Sequence, residues 1–388
     1  MFKILTLNNI SVSGLRRLPR ERYEVASEIQ HPDGILVRSF NMHEMEIPPT
    51  LKAVGRAGAG VNNIPVDKMS ARGIVVFNAP GANSNAVKEL VIAGMLLAAR
   101  NIVQAWDFAR GLEGTDVEIR KAAEAGKKQF VGFELPGRTL GVVGLGAIGV
   151  RVANAAIALG MKVVGYDPDI TVARAWELSS QVQQALSLDD LLSRSEFVTL
   201  HVPLSNKTRA MIDAKRLGSM RDGVVLLNFA REEIVDEHAV ANALAHGKVR
   251  AYVCDFPGNT LRGNPRVIML PHIGASTAEA EENCAVMVAD QVRAYLEDGT
   301  IHNSVNFPEV EMARSSGSHR LAVVNANVPN MLGQISTKLA SAGLNIVDML
   351  NKSRGELAYT LADVESQLPQ EVIADIASTQ GVLAVRSL

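Results

Sequence analysis

The sequence predicts an α/β protein with two doubly wound parallel sheets, followed by a small β-α-β-β-α-β domain. Three observations lead to this prediction. Short apolar, β-rich runs alternate with helical patterns as far as residue 298. A glycine-rich turn interrupts the second series of runs at residues 144–149. After a small polar linker at residues 311–318, six segments read strand, helix, strand, strand, helix, strand.

The composition limits the classes of protein to which the chain can belong. The chain has 388 residues, of which 47% are hydrophobic and 21% charged, and its net charge is −2. This is enough apolar material for several cores, and the charge balance argues against a nucleic-acid groove. Cys254 and Cys284 have neither disulfide-framework nor zinc spacing, so we expect no metal. No apolar run is long enough to cross a bilayer and no signal-peptide pattern is present, so we expect a cytoplasmic protein.

The first series of elements covers the N-terminal hundred residues. The runs KILTL, GILVRS, LKAVGRAG and IVVFNA predict strands with helices between them. The Ala- and Leu-rich stretch from Asn85 to about Arg110 predicts one long helix that ends at Gly111. Residues 111–132 are polar and punctuated by glycine, which predicts a surface loop.

The second series begins at Arg138. It predicts six strands separated by helices, and a helix from Thr277 to Asp298 that returns the chain to the first sheet. The predicted strands are TLGVVGLG, MKVVGYD, FVTLHV, VVLLNFA, RAYVCDF and VIMLPH, and one of the intervening helices is TRAMIDAKRLGSM.

The turn GLGAIG fits the pattern GxGxxG between a strand and a helix. In that context Gly144 permits a tight turn, Gly146 lets the backbone approach a pyrophosphate, and Gly149 lets the helix pack closely. The N–H groups at the helix start, which include those of Ala147 and Ile148, then face the anion. Asp167, at the end of the next strand, is placed to bind an adenosine ribose and to repel a 2′-phosphate. The predicted cofactor is therefore NAD; the alternative is a glycine-rich turn with an ordinary capping aspartate.

Longer segments carry a family resemblance. GRTLGVVGLGAIG, LHVPLSNKTRAMID, LLNFAREEIVDEHAV and PHIGAST resemble, in order and spacing, the D-2-hydroxyacid dehydrogenases, as do GRAGAGVNNIPV and VFNAPGANSNAVKEL. The C-terminal segment with VPNMLGQISTKLASAGLNI resembles an ACT domain. The resemblance implies two Rossmann-like domains with a cleft between them and a regulatory tail. The implied domains are a substrate domain at residues 1–98 and 282–310, an NAD domain at 99–281 and an ACT domain at 318–388.

Oxidation of a 2-hydroxy acid requires a base, a cation for the carboxylate and a hydride acceptor. His272, at a strand end, is the candidate base because imidazole titrates near neutral pH. Arg231 is the candidate carboxylate ligand because its guanidinium offers a planar fork of donors. The alternatives are a histidine satisfied at a strand end and a surface arginine.

The remaining site residues follow from the resemblance. The N–H groups of Gly58, Ala59 and Gly60 are expected to hold the substrate carboxylate. Arg38 and Arg56 are expected to meet a phosphate, which implies a phosphorylated 2-hydroxy acid as substrate. The remaining predicted cofactor contacts are His201, Pro203, Ala230, Asp255 and Gly274.

One part of the family pattern is missing. The family's glutamate, which supports the histidine, is replaced in frame by Asn259, and Cys254 stands at the family's aspartate position. Asparagine can orient an imidazole but supplies no negative charge. Three hypotheses follow: Asp255 takes over in a bulged strand, His272 works without a carboxylate, or catalysis has decayed. We favour the second, because Arg231 and His272 are both present.

The ACT-like tail suggests regulation and assembly. Asn325, Asn327 and Asn345 match positions that hold L-serine in serine-controlled members of the family, and the same asparagines also suit turns and helix ends. Asn330 replaces a glycine of the usual loop. We expect a homodimer or homotetramer. Two alternative functions stay open: a reductase for glyoxylate, hydroxypyruvate or another 2-keto acid, and a non-catalytic NAD(H)-sensing scaffold.

Overall fold

The computed structural model describes all 388 residues, and they form two compact units. The first unit comprises Met1–Asn83 and Ala278–Leu388, and the second comprises Ser84–Thr277. None of the helices is both long enough and apolar enough to cross a membrane.

The N-terminal part of the first unit is a five-stranded parallel sheet with strand order β2-β1-β3-β4-β5, one of the two common doubly wound orders. The edge strand β2 is absent from the predicted strands because its four residues carry too little pattern. The elements are β1 (Phe2–Leu7), α1 (Val12–Leu15), β2 (Tyr23–Ala26), β3 (Gly34–Val37), β4 (Ala53–Arg56), α2 (Val66–Ala71) and β5 (Val75–Phe77).

The second unit contains a seven-stranded parallel sheet with strand order β12-β11-β10-β9-β6-β7-β8. The order reverses between β9 and β6, which makes this the topological switch point of the sheet. The elements are α3 (Ser84–Arg100), α4 (Ile102–Arg110), α5 (Asp116–Gly126), β6 (Thr139–Val143), α6 (Ala147–Ala158), β7 (Lys162–Tyr166), α7 (Val172–Glu177), β8 (Gln183–Gln184), α8 (Leu188–Arg194), β9 (Phe197–Leu200), α9 (Ala214–Ser219), β10 (Val224–Asn228), α10 (Glu237–Ala245), β11 (Val249–Cys254) and β12 (Val267–Met269).

The helices before β6 differ from the prediction. Asn101 adopts a left-handed conformation (φ 50°), which divides the predicted single helix into α3 and α4. The predicted loop at 111–132 instead contains α5, whose start is a capping box between Thr115 and Glu118. Helix α3 packs within the core of the second unit, where it buries Val91 and Met95. The first unit therefore ends at Asn83, fifteen residues before the boundary we predicted.

The predicted helix TRAMIDAKRLGSM is also shorter in the structure. Only Ala214–Ser219 are helical, and Asp213 caps them by accepting a hydrogen bond from the Arg216 N–H at 2.9 Å. Ala210 has a positive φ of 47°, which is incompatible with a continuous helix through this segment.

Helix α11 (Ala278–Asp298) belongs to the first unit and lies against its parallel sheet. Val292 contacts β3 and β4 where Gly34 and Gly55 offer no side chain; a Cβ on Gly55 would come within 3.0 Å of Val292. These glycines let the helix approach the strands closely.

The C-terminal segment forms an antiparallel sheet of order β14-β15-β13-β16 with two helices, which confirms the predicted β-α-β-β-α-β arrangement. Arg320 anchors this segment: it is buried, pairs with both carboxylate oxygens of Asp363 at 2.6 and 2.8 Å, and donates to the Asp298 carbonyl at the end of α11. The elements are β13 (His319–Ala326), α12 (Met331–Ser341), β14 (Ile346–Arg354), β15 (Leu357–Val364), α13 (Gln370–Ala377) and β16 (Val382–Ser387).

Candidate cofactor and active site

The candidate residues of the second unit follow the carboxyl ends of its strands. Because these strands are parallel, their carboxyl ends lie along one edge of the sheet, where ligands bind in this type of fold. The residues that follow successive strands there are Gly144 after β6, Asp167 after β7, His201 after β9, Arg231 after β10, Asp255 after β11 and His272 after β12.

The turn after β6 requires its glycines. Gly144 has a positive φ of 89°, and a Cβ there would lie 2.6 Å from the His201 carbonyl oxygen. A Cβ on Gly149 would overlap the Gly144 carbonyl oxygen. Gly146 differs, since a Cβ on it would meet no atom within 4 Å. Gly144 and Gly149 are therefore needed by the turn itself, whereas the space beside Gly146 is open.

Asp167 braces the same turn. Its Oδ2 atom accepts a hydrogen bond from the Leu145 N–H at 2.8 Å, and its Oδ1 atom accepts one from the Asp169 N–H at 2.9 Å. Carboxylate oxygens have further lone pairs, so Asp167 can still accept from a hydroxyl. Beside it lies a cavity of about 420 Å³ whose lining includes Ile170, Leu178 and Val182.

These residues fit a dinucleotide. Gly146 caps α6 without a side-chain hydrogen bond, so the first N–H groups of this helix have no side-chain acceptor at the cap. Unpaired N–H groups and the helix dipole favour an anion such as a pyrophosphate. The cavity beside Asp167 is lined by apolar side chains such as Ile170 and Leu178 together with polar ones such as Gln183. The loop, the acid and the cavity lie next to one another, as a dinucleotide-binding turn requires.

His201 presents a neutral imidazole. Its Nε2 atom is 2.9 Å from Thr199 Oγ1, and its Nδ1 atom is buried without a hydrogen-bond partner. Burial lowers the pKa of the imidazole from 6.5 to about 3. Pro203 is exposed two residues later, where its carbonyl accepts a hydrogen bond from Thr208 Oγ1 at 2.6 Å. The Nδ1 atom of His201 is thus a buried polar group without a hydrogen-bond partner.

The Arg231 turn is held by a residue that the sequence analysis missed. Asn228, fully buried at the end of β10, donates from Nδ2 to the Arg231 carbonyl at 2.8 Å and accepts from the Ala230 N–H at 3.1 Å. The signal was present as a polar residue that ends an apolar strand. Arg231 itself is half-buried and donates to the Ala230 carbonyl at 2.6 Å.

Asp255 and Gly274 contact each other. The Asp255 carboxylate is buried and accepts hydrogen bonds from the N–H groups of Ile273 at 2.8 Å and Gly274 at 2.7 Å. It therefore contacts the backbone after His272 and not the imidazole, and the cofactor contacts predicted for Asp255 and Gly274 stay predictions. The His272 side chain is exposed and packs edge-on against Phe256, with the ring centres 5.2 Å apart.

Asn259 and Cys254, the two other departures from the family pattern, lie in different environments. Asn259 is exposed on the loop after β11. Cys254 is fully buried, and burial raises the pKa of its thiol to about 11. Because the thiolate is the reactive form, this cysteine is a core residue and not a nucleophile.

The first unit gathers the predicted substrate residues at the ends of β3 and β4. Arg38 pairs with Glu281 of α11 at 2.6 Å, and its carbonyl accepts from Arg56 Nε at 3.1 Å. The Gly58 N–H already donates to the Arg56 carbonyl at 2.7 Å, and a Cβ on Gly58 would overlap the Arg56 guanidinium. A side chain at Gly58 would therefore displace the Arg56 guanidinium, and because the Gly58 N–H is already used, the N–H groups of Ala59 and Gly60 are left as the donors of this turn.

The three asparagines of the tail do not meet within one chain. Asn325 lies at the end of β13, level with Ser353 on β14, whereas Asn345 precedes the other end of β14. Eight residues of strand separate these levels, or about 25 Å. Asn325 is buried and its Oδ1 atom has no partner, Asn327 donates to the Gly355 carbonyl, and Asn345 donates to Glu365.

Asn330 takes the place of the usual loop glycine without distorting the loop. It adopts a left-handed conformation, with φ 64° and ψ 9°, directly before α12. Asparagine tolerates this region better than other residues with a side chain, so the helix start is preserved.

Comparison with known proteins identifies the family to which the chain belongs. Residues 95–274 match the family described as "D-isomer specific 2-hydroxyacid dehydrogenase, NAD binding domain". The chain belongs to the D-2-hydroxyacid dehydrogenase family, as the relatives below also show. The family match confirms the predicted nicotinamide dinucleotide, and the two parallel sheets confirm the predicted fold class.

The named relatives are more specific. The chain is 33% identical to D-3-phosphoglycerate dehydrogenase of Haemophilus influenzae, over 92% of this chain and 86% of that protein. It is 37% identical to the enzyme of the same name from Methanocaldococcus jannaschii, over 88% of this chain but only 63% of the relative's length. Among solved structures, NAD+-bound 3-phosphoglycerate dehydrogenase of Entamoeba histolytica aligns with a TM-score of 0.62 and 26% identity, covering 79% of this chain and 98% of that one.

Gly146 offers a test of the cofactor turn. The substitution Gly146→Ala should lower the melting temperature only slightly, because its Cβ meets no protein atom and the cost is confined to a poorer N-cap. It should weaken NADH binding about tenfold or more, because losing one charge-assisted contact costs about 1.4 kcal/mol. NADH fluorescence titration measures this. Gly218→Ala on α9, where a Cβ is equally free, is the matched control and should bind NADH normally. Equal NADH affinity in both variants would place the cofactor elsewhere.

His201 predicts a pH dependence of stability. Its pKa is about 3 in the folded chain and 6.5 when unfolded, so below pH 6.5 only the unfolded state gains the proton. Stability from this group is complete well above pH 6.5 and is lost as the pH falls toward 3, by about 1.4 kcal/mol at pH 5.5. The free energy of unfolding, measured with urea between pH 7.5 and 5.5, should change less with pH for His201→Gln than for the unmodified chain. Identical slopes would contradict a buried neutral imidazole.

Proposed function

We propose that this chain is a D-3-phosphoglycerate dehydrogenase, which oxidises 3-phosphoglycerate with NAD+ to 3-phosphohydroxypyruvate, NADH and a proton. This reaction opens L-serine biosynthesis. The observation that carries the proposal is the similarity to the Haemophilus influenzae enzyme over 92% of the chain, which extends beyond the catalytic body into the tail. The arginines at the ends of β3 and β4 support a phosphorylated substrate.

The proposed mechanism assigns one task to each side chain. When bound, the nicotinamide ring supplies a hydride acceptor for the substrate C2 hydrogen. The imidazole of His272 takes the proton of the C2 hydroxyl, and the Arg231 guanidinium binds the adjacent carboxylate. Arg38 and Arg56 supply positive charge for the phosphate, in which case the substrate competes with Glu281 for Arg38. Ala59 and Gly60 offer backbone donors to the carboxylate.

One observation keeps an alternative open. Asn259 occupies the position of the family's glutamate, and an exposed amide supplies no charge to an imidazole. This favours either a slow enzyme for a different 2-keto acid or a protein that binds NAD(H) without turnover. Activity measurements decide between these and the proposed reaction.

A substrate panel tests the proposed function. NADH consumption with phosphohydroxypyruvate should exceed that with hydroxypyruvate or glyoxylate in kcat/KM. His272→Ala should lower kcat by about 10²–10⁴-fold, the usual contribution of a positioned base, with NADH affinity unchanged. Arg38→Ala should reduce kcat/KM for the phosphorylated substrate only. No turnover with any acid would support a scaffold, and full activity of His272→Ala would remove it from the mechanism.

We infer that the ACT-like tail binds L-serine between two copies of the chain. Asn325 and Asn327 lie at one end of the tail's sheet and Asn345 at the other, so one ligand can meet all three only if a second chain contributes one end. The buried, unpaired Oδ1 atom of Asn325 supports a ligand that donates a hydrogen bond there. The inferred assembly is a homodimer or homotetramer.

Calorimetric titration with L-serine tests this inference. We expect binding at millimolar concentration or tighter, lost in Asn325→Ala and in Asn345→Ala. In a dimer that contains one chain of each variant, one of the two sites is intact, so random exchange of the two variants should restore about a quarter of all sites. Asn351→Ala, on strand β14 and bonded to Thr360, is the control and should bind normally. An absence of heat at millimolar serine contradicts the regulatory role.

A further inference from the structure

The loop that carries His272 has an unusual backbone. His272 follows β12 with a positive φ of 57°, a conformation that residues other than glycine rarely adopt. A residue in this region is maintained only where its surroundings hold it, and such residues concentrate at functional sites. We therefore expect a specific contact to hold the backbone of His272.

Asp255 makes that contact from the neighbouring strand. Its carboxylate accepts from two consecutive backbone donors directly after His272, the N–H groups of Ile273 and Gly274, at 2.8 and 2.7 Å. Consecutive N–H groups around a left-handed residue form a concave anion site, and here the anion is a side chain of the same unit. Only 2% of Asp255 is exposed, so water does not compete for these hydrogen bonds.

Two further features fix the carboxylate. The Asp255 N–H donates to the Asn228 carbonyl at 3.3 Å, which connects it to the turn that holds Arg231. Gly274 leaves room for the carboxylate, since a Cβ there would lie 3.1 Å from Asp255 Oδ2. The contact therefore depends on an acid at 255 and on a glycine at 274.

We propose that Asp255 is the positioning residue of His272: it holds the imidazole in place through the backbone and not by touching the ring. The inference rests on the proposed function, in which His272 moves a proton. In this role Asp255 supports the base in a chain that has Asn259 where relatives have a glutamate. Loss of such a supporting contact typically costs 10–100-fold in activity, about the cost of a misplaced reacting group.

The principal variant is Asp255→Asn, which keeps the size of the side chain but can accept only one of the two hydrogen bonds. It should lower kcat about 10–100-fold, with NADH affinity within about twofold of the unmodified chain. Hydrogen exchange of the peptide covering residues 270–276, measured on the NADH-loaded protein, should become at least tenfold faster. Gly274→Ala perturbs the contact from the other side and should lower kcat less.

The matched control is Asp213→Asn. Asp213 also accepts a backbone hydrogen bond in the second unit, at the start of α9, and therefore reports a purely structural loss. It should reduce stability without changing kcat or exchange at 270–276. In a His272→Ala background, Asp255→Asn should cause no further loss of residual kcat/KM, because its effect passes through His272.

The outcomes separate the two proposals. Unchanged kcat in Asp255→Asn, or equal losses with and without His272, overturns the positioning role while the proposed function stands. If Asp255→Asn weakens NADH binding instead of kcat, Asp255 is a cofactor residue and the inference is wrong. If the unmodified chain turns over no 2-keto acid, the proposed function fails and the catalytic role of Asp255 fails with it, whatever the exchange shows. If Asp255→Asn does not fold, Gly274→Ala decides by the same readouts.

Discussion

The close packing of the turn after β6 is the constraint on which the second unit depends. Gly144 must adopt a left-handed conformation against the His201 carbonyl, and Gly149 must lie directly on the Gly144 carbonyl. These contacts start α6 at the edge of the sheet, with its N–H groups facing outward. Asp167 completes the arrangement by accepting the Leu145 N–H. The residues that close the turn are therefore the same residues that we propose to bind the pyrophosphate of the cofactor.

Buried polar residues hold the backbone at the edge of the sheet where Arg231 and His272 lie. Asn228 and Asp255 end neighbouring strands, and each uses its side chain to hold the backbone of the following functional loop. Chemistry requires side chains on exposed loops, whereas positioning requires rigid support. Placing the supporting residues at the strand ends meets both requirements, because the strands are among the most buried elements of the unit.

Local patterns in the sequence predicted most of the fold and the cofactor turn. The glycine spacing, the strand before it and Asp167 all lie within one βαβ unit, so short-range reasoning was sufficient. The capping box at Thr115 is a local signal for α5, but it lies in a polar, glycine-punctuated segment that favours a loop prediction. Two features depended on contacts between distant segments. Asp255 reaches the backbone eighteen residues later, and the separation of Asn325 from Asn345 follows from strand register, which no local pattern specifies.

The central claim is that a dinucleotide lies across the turn at 144–149. A crystal structure of the NADH complex tests it most directly. The account predicts pyrophosphate oxygens within hydrogen-bonding distance of the N–H groups at the start of α6, and the adenosine ribose on the Asp167 carboxylate. A dinucleotide bound at another edge of the sheet, or a complex in which Asp167 makes no contact with the ribose, would contradict it.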